Sequence, residues 1–344
     1  MTAATTTGCP GRSASPWSSP EARLLLRADA PREQWLAQRR AGIGSSDASA
    51  VVGVNQWTSP YEVWAEKRGL LAPSPSTEAT EMGNWLEPVV VGRWSEKSGV
   101  PIRKAGLMQS RTRPWQLASV DRLAACGGIV EAKTLSFRVA EEWEDGQTPD
   151  HAEVQVQHQM AVTGRSHAHV VGLQDGRTWL ERTVVRDDDL IADLVAAEEQ
   201  FWQLVLTGVE PAIDGRTATT DALNARWSGV TESETQLGSD AELLIATRAA
   251  WDAQLTEAEQ GKELASNQLR ALLGEHTVGV LPSGKKVTWR RNGNVAPKRL
   301  TAAEPELVAE LTVLRPALDL DALKRDHPAV YATHRARVLR VPTV

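Results

Sequence analysis

Asp121, followed after nine intervening residues by Glu131-Ala132-Lys133, is the set of residues in this sequence with the clearest chemical use. Two carboxylates can hold a hard divalent cation such as Mg²⁺ or Mn²⁺, whose preferred ligands are oxygens. An ammonium beside them can orient an attacking water and meet the charge that develops on a phosphorane. Together these are the requirements for hydrolysing a phosphodiester. Gln116–Leu123 and Gly128–Thr134 read as short strands around a Gly-containing turn, which puts Asp121 and Glu131 on neighbouring strands. Side chains alternate along a strand, so residues 131 and 133 share a face, and the Ala132 carbonyl is a further candidate ligand. An acid-x-Lys triplet is common and usually solvated. Here Glu131 follows Gly-Gly-Ile-Val, an apolar run in which an unpaired charge is costly. Spacing alone leaves both the metal site and the solvated strand face open.

Around this pair the chain alternates helix and strand. A helix is expected from Pro31, with Trp35 and Leu36 on its inner side, interrupted at Gly42-Ile43-Gly44-Ser45-Ser46-Asp47. Ser46 or Asp47 would cap the next helix, and Ser59-Pro60 would start another that stops at Gly69. Residues 72–80 read as a loop. Helical spacing resumes from Glu81 through Trp85, Leu86 and Trp94 to Gly99. His151–Thr163 and Asp187–Leu206 are helical, and His167–Gln174 and Thr178–Val185 form a β pair turning at Asp175-Gly176. Beyond a polar stretch, Leu244, Trp251, Ala258, Ala265 and Leu272 recur every seven residues on one long helix, roughly 50 Å at about 1.5 Å per residue. Arg248 and Lys262 interrupt its stripe, and a hairpin follows around Pro282-Ser283-Gly284. The expected organisation is a disordered tail over 1–20, a core domain over 21–210, a linker over 211–238 and a helical and hairpin region over 239–344.

Five motifs in this order extend the argument: Ile43-Gly44-Ser45-Ser46-Asp47, Gly83-Asn84-Trp85-Leu86-Glu87-Pro88, Ala118-Ser119-Val120-Asp121, Val130-Glu131-Ala132-Lys133 and Gln155-Val156-Gln157-His158. In order and gaps they resemble the YqaJ-like viral recombinase family over roughly residues 32–206. That family is related to lambda exonuclease and, more distantly, to the PD-(D/E)XK nucleases. The C-terminal region, including His327-Pro328 to Arg340, also resembles the tail often attached to it. The resemblance implies an α/β (α+β) fold with a restriction-endonuclease-like core, a central mixed β-sheet flanked by helices. It implies Asp121, Glu131, Glu87 and the Ala132 carbonyl as metal ligands, and Lys133 as the catalytic lysine. Gln157, and less directly Gln155, would be the glutamine of the helix packed against the site. Arg39, Ser46 and Asp47 match the region that holds a 5′ phosphate, for which an Arg fork and a Ser hydroxyl are suited. Taken singly, Glu87 reads as a surface carboxylate, Ser46 and Asp47 as helix caps, and the glutamines as helix-face hydrogen bonders. Val120 stands where the family commonly has Pro, and His158 where lambda exonuclease has an aromatic residue.

The implied activity is a metal-dependent DNA exonuclease, acting 5′ to 3′ on linear double-stranded DNA and using Mg²⁺, with Mn²⁺ as a substitute. Its partners would be DNA ends and a single-strand annealing protein, and a homo-oligomer, a trimer by analogy with lambda exonuclease, would enclose the DNA. The alternatives are an endonuclease of the same fold and a non-catalytic protein that binds DNA ends. Composition is neutral between them: a net charge of −6 does not advertise a nucleic-acid binder, yet a basic groove can coexist with an acidic exterior. Trp57, Trp85, Trp115 and Trp143 are candidates for stacking on DNA, although tryptophan at helical spacing is more often core. Two cysteines, Cys9 and Cys126, cannot build a four-cysteine metal site, and a disulfide between them is not expected. The spacing of His151, His158, His167 and His169 fits no familiar zinc pattern, so these read as satisfied surface or core histidines. No apolar run reaches the ~20 residues of a membrane span, and the N-terminal residues lack the apolar stretch of a signal peptide, so a cytoplasmic protein is expected.

Overall fold

The computed structural model of the protein describes residues 15–72, 77–135, 143, 146–229, 233–290, 297–312 and 318–333. The expectations placed on residues 1–14 (Cys9 included), on 73–76 of the expected loop and on the segment beyond 333 lie outside these residues. The chain divides after Gly229 into two compact units.

The first unit is a mixed α/β structure, with sheets flanked by helices. It runs β1 (Ala22–Leu26), α1 (Arg32–Arg39), α2 (Ser45–Val51), α3 (Pro60–Lys67), α4 (Glu78–Ser98), β2 (Ile102–Arg103), β3 (Leu107–Ser110), β4 (Leu117–Ser119), β5 (Arg122–Ala124) and β6 (Ile129–Leu135). There follow α5 (Asp150–Thr163), β7 (His167–Gln174), β8 (Thr178–Val185), α6 (Asp188–Thr207) and α7 (Thr217–Arg226). The larger sheet has the order β2-β5-β6-β7-β8, antiparallel except for the parallel pair β6–β7, whose crossover carries α5. The smaller, antiparallel sheet is β1-β3-β4.

The single strand expected over 116–123 is two strands. At Val120-Asp121 the chain leaves the small sheet and enters the large one. Asp121 therefore sits at a junction, where the backbone is released from one ladder before joining the next. Buried aliphatic residues fix both faces of the large sheet. Ile129, Ala168 and Val170 pack with Val156 and Met160 of α5 on one side. Val130 and Val171 pack with Val90, Val91 and Trp94 of α4 on the other.

The helix ends follow from local chemistry, with two departures from expectation. Ser59 caps α3 by accepting from the Glu62 N–H at 3.1 Å, and Asp187 caps α6. In α2, by contrast, the N-cap is Gly44, and Asp47 at the third helical position reaches back to accept the Gly44 N–H at 2.9 Å. Just before it, Ile43 bridges to Gln116, its N–H donating to the Trp115 carbonyl at 2.7 Å. A Cβ on Gly42 would collide with that carbonyl, so only glycine lets the α1–α2 corner close on the strand. The second departure concerns the termini of the core domain. Residues 15–20, expected in the tail, are tied down: Arg165 donates to the carbonyls of Pro16 and Ser18 at 2.9 and 3.1 Å, and Trp17 packs against the core. The stretch 211–238, expected as a linker, carries α7, which buries Thr219 and Ala222 against the α3 region and places Arg226 on Tyr61.

The second unit begins with the expected long helix, α8 (Ser239–Leu273), followed by a hairpin of β9 (Val278–Val280) and β10 (Lys286–Thr288). Four short helices follow: α9 (Pro297–Ala303), α10 (Pro305–Leu311), α11 (Leu320–Asp326) and α12 (Pro328–Thr333). Leu244, Trp251, Leu255 and Leu272 along α8 are exposed.

A buried polar network locks the strand that leads into the junction. His158 of α5 donates from Nε2 to the Leu117 carbonyl (2.9 Å) and from Nδ1 to Glu198 of α6 (2.6 Å). Gln116 donates to the other Glu198 oxygen at 2.5 Å. All three side chains are fully buried, so His158, which stands where lambda exonuclease has an aromatic residue, belongs to the core here. Burial alone would lower the His158 pKa, but the Glu198 carboxylate raises it above the ordinary histidine value. The pair's contribution is thus complete below the ordinary histidine range and is lost as pH rises through the raised folded value. Glu198→Ala, which strands a buried charge, should cost about 3–5 kcal/mol in denaturant unfolding at acidic to neutral pH. The gap between variant and wild type should narrow as pH is raised.

Candidate active site

The junction between the sheets creates a cleft of about 450 Å³. Its walls are Gly83, Asn84 and Glu87 from α4, Asp121 just before β5, and Glu131, Ala132 and Lys133 of β6. Because β5 begins only at Arg122, paired with Val130, Ala132 lies beyond the end of the β5 ladder. Its N–H takes the Asp121 carboxylate instead, Oδ2 accepting at 2.8 Å. The N–H and C=O of a strand residue point to the same side, so the Ala132 carbonyl faces the same gap.

Glu131 is nearly buried and fully engaged. Its Oε1 accepts from Lys133 Nζ at 2.8 Å and from Gln155 Nε2 at 2.6 Å, and its Oε2 accepts from Gln159 Nε2 at 2.8 Å. Lys133 also donates to Gln155 Oε1 at 2.7 Å, closing a Glu–Lys–Gln triangle. Gln159 reaches in addition the Ser119 carbonyl at 3.2 Å, tying the strand before the junction to β6. Glu87 accepts from Arg122 Nη1 at 2.6 Å, and the same guanidinium holds the Asp121 carbonyl.

The expected residues Asp121, Glu131, Lys133, Ala132 and Glu87 are therefore brought together, and Gln157 is not. Gln157 donates to the Val185 carbonyl at 2.9 Å and accepts the Asp187 N–H, so it joins α5 to the start of α6. Residues 155 and 159 are one helical turn apart on the face toward Glu131, whereas 157 lies on the opposite side of the helix. Gln159 and Arg122 were not singled out by the sequence. The i, i+4 relation of Gln159 to Gln155 was the available signal.

The donor set fits a hard divalent cation. Desolvation by burial, then the charges of Glu131 and Glu87, push the Asp121 carboxyl well above the usual range, against the pull of the Ala132 N–H and Lys133. Three carboxylates that line one cleft leave an excess of negative charge that a divalent ion would offset.

Arg39, Ser46 and Asp47 form a second cluster, to which Lys67 must be added. Arg39 Nη2 donates to Ser46 Oγ (2.7 Å) and Asp47 Oδ1 (2.5 Å), and Lys67, almost wholly buried, donates to Asp47 Oδ2 (2.6 Å). Burial would raise the Asp47 pKa, but Arg39 and Lys67 hold it well below the usual carboxylate range. Asp47 is thus a charged anchor as well as the residue that accepts the Gly44 N–H at the start of α2. The Arg39 guanidinium stacks over Trp35, whose indole N–H donates to Ser119 Oγ at 3.2 Å, so the basic cluster adjoins the end of β4, two residues before Asp121. Of the tryptophans considered for stacking, Trp57 and Trp85 are exposed, Trp115 packs partly against the α2–α3 core and Trp143 is buried.

At one end of the mixed sheet, three carboxylates and a lysine line one cleft, with a basic cluster alongside. Residues 34–166 match the model of the YqaJ-like viral recombinase domain. The chain is 35% identical over 249 residues to the uncharacterised protein YqaJ of Bacillus subtilis strain 168, covering 71% of this chain and 76% of that protein. The protein belongs to the YqaJ-like viral recombinase family. Among solved structures, it is similar to an alkaline exonuclease from Laribacter hongkongensis (23% identity, 51% of this chain and 93% of that chain, TM-score 0.45). It is also similar to a phage-related exonuclease from Haemophilus somnus 129PT (12% identity, 49% and 96%, TM-score 0.36). Among the described residues, no helix is long and apolar enough to cross a membrane.

The electrostatics of Asp121 have a measurable consequence. Its folded pKa lies above its unfolded value, so the cation-free fold loses stability as pH rises from the ordinary aspartate range through the raised value. Asp121→Asn keeps the acceptor for the Ala132 N–H and removes the charge. In chelator at neutral pH its melting temperature should rise by about 2–4 °C per kcal/mol relieved. An unchanged or lowered melting temperature would show that the carboxylate is not strained by its neighbours.

Proposed function

We propose that the protein is a metal-dependent DNA exonuclease that resects linear double-stranded DNA, 5′ to 3′, to expose single strands for phage-type recombination. The observation that carries the reading is the fastening of Asp121 to the Ala132 backbone, which sets two carboxylates and Lys133 at one cleft. Asp121, Glu131 and the Ala132 carbonyl, with Glu87 from α4, would hold Mg²⁺ or Mn²⁺. When bound, the ion supplies Lewis acidity at the scissile phosphate and neutralises charge on the leaving oxygen.

The chain's own groups account for the rest. Lys133, held by Glu131 and Gln155, has an ammonium donor left to orient a water for in-line attack and to meet charge on the phosphorane. Gln155 and Gln159 fix the Glu131 carboxylate so that it need not reorganise. The Arg39–Ser46 pair supplies a planar guanidinium fork and a hydroxyl for a terminal 5′ phosphate, with Lys67 adding charge behind it. Polarity, a homo-oligomer of trimeric type closing around the DNA, a single-strand annealing partner and a cytoplasmic setting belong to the same reading. The exposed apolar stripe of α8 suits an assembly or partner surface.

The test is digestion of linear 5′-phosphorylated duplex beside supercoiled circles, with Mg²⁺ and with Mn²⁺. Wild type should degrade only the linear DNA. Glu131→Ala and Lys133→Ala should each lower kcat by at least about 100-fold. Cutting of the circles would make the enzyme an endonuclease, and binding of ends without hydrolysis would remove catalysis from the reading. Separately, Arg39→Ala should weaken use of 5′-phosphorylated ends by about 10-fold or more through KM, and leave 5′-hydroxyl ends nearly unaffected. Equal loss on both ends would take the phosphate from this cluster.

A further inference from the structure

On the α4 side of the large sheet, away from the carboxylates, three metal-binding side chains meet. Cys126 lies in the β5–β6 turn, and His167 and His169 are alternate residues of β7 on one face. Cys126 Sγ is 3.3 Å from His167 Nε2 and 3.7 Å from His169 Nε2, and the three donor atoms all lie within 4.8 Å of one another. In a tetrahedral zinc site with Zn–S ~2.3 Å and Zn–N ~2.0–2.1 Å, sulfur and nitrogen ligands stand ~3.5 Å apart. The two observed separations straddle that value.

We propose that Cys126, His167 and His169 form a binding site for one Zn²⁺ ion, distinct from the carboxylate cleft. The groups around the three ligands are arranged as such a site requires. Ser166 Oγ lies 3.1 Å from His167 Nδ1, and Thr183 Oγ1 lies 3.2 Å from His169 Nδ1. Protons held on both Nδ1 atoms leave both Nε2 lone pairs directed at the sulfur. Trp94 of α4 stacks on the His169 ring at 4.6 Å, and the rings of His167 and His169 meet edge to face at 5.1 Å, which fixes their planes. The turn is built around the His167 ring: a Cβ on Gly128 would lie 2.5 Å from Nε2, so only glycine leaves the nitrogen room.

The charge states agree with the geometry. Burial, then Arg165, lowers the His167 pKa, and burial with His167 lowers that of His169 to about 4, so both imidazoles are neutral at pH 7. Arg165, anchored on the carbonyls of Ala124 and Gly128, interacts electrostatically with Cys126. Three protein ligands leave the fourth position to water, which the half-buried setting admits. The histidine spacing alone matches no zinc pattern because the third ligand comes from a turn about forty residues earlier, joined to β7 only through the sheet.

The experiment is a Co²⁺ titration of the full-length protein in excess Mg²⁺, followed by competition with Zn²⁺. Wild type should develop a sulfur-to-cobalt charge-transfer band and tetrahedral d–d bands that saturate at one equivalent, and Zn²⁺ should bleach both. Zn²⁺ should also raise its melting temperature. Cys126→Ser should abolish the charge-transfer band, and His169→Gln should at least weaken binding tenfold. Cys9→Ser and Glu131→Ala should retain the full spectrum, which separates this site from the other thiol and from the carboxylate cleft. A wild type that shows no charge-transfer band, or a Cys126→Ser variant that keeps it, overturns the proposal. So does loss of the band in Glu131→Ala with its circular dichroism unchanged. Because the wild-type spectrum decides first, a variant that misfolds leaves the test intact.

Discussion

The Asp121 side chain accepts a backbone N–H that the sheet itself cannot satisfy, and the geometry of the carboxylate cleft depends on that bond. A buried N–H needs a partner, and at Ala132 the neighbouring strand has already ended. The carboxylate that takes its place is thereby fixed at the mouth of the gap, with the Ala132 carbonyl facing the same way. The cost is electrostatic. Asp121 stands beside Glu131 and Glu87, and burial strengthens their repulsion. A fold that tolerates this must stabilise the acids from behind, and it does so from three directions. Gln155 and Gln159 come from α5, Lys133 from β6, and Arg122 spans Asp121 and Glu87.

These supports depend on long-range packing. The His158–Glu198–Gln116 network holds the strand that feeds the junction, and Gln159 fastens the carbonyl of its last residue, Ser119, to Glu131. On the opposite wall, Pro88 sits inside α4 directly after Glu87. Proline has no N–H, so the Asn84 carbonyl one turn earlier lacks its helical donor, and Asn84 itself lines the cleft. The missing helical hydrogen bond lies against the site, although α4 continues unbroken through Pro88.

How much of this was legible depended on the period of the element. The strand period of two puts Glu131 and Lys133 on one face whatever the tertiary structure, and they do share it. For a helix, which residues face a site depends on rotation set by packing, and the sequence around 155–159 offers three glutamines on two opposite faces. Gln157 was favoured and Gln155 with Gln159 are in place, because the hydrophobic residues of α5 bury nearly the whole helix and give no clear inner side. Lys67 carried no local signal at all: its partner Asp47 is twenty residues away, and only the α2–α3 packing brings them together. The division of one expected strand into β4 and β5 was equally hidden, since Leu117–Leu123 alternates well enough for a single ladder.

The pleat of β6 and β7 then explains how one sheet can carry two kinds of cation chemistry. Glu131 pairs with Val170 and Val130 with His169, so successive residues face opposite sides. The α5 side receives oxygen donors and a lysine, and the α4 side receives imidazoles and, from the adjoining turn, a thiol. Hard oxygen donors suit Mg²⁺ or Mn²⁺, whereas sulfur and nitrogen donors suit Zn²⁺, so donor type helps to sort the ions. Helix α4 touches both sides, with Glu87 at the cleft and Trp94 on His169 two turns further on, about 10 Å along the axis. A metal held on the histidine side would therefore fix the turn between β5 and β6 against β7 and the helix that carries Glu87, stiffening the frame in which the carboxylates converge without entering their chemistry.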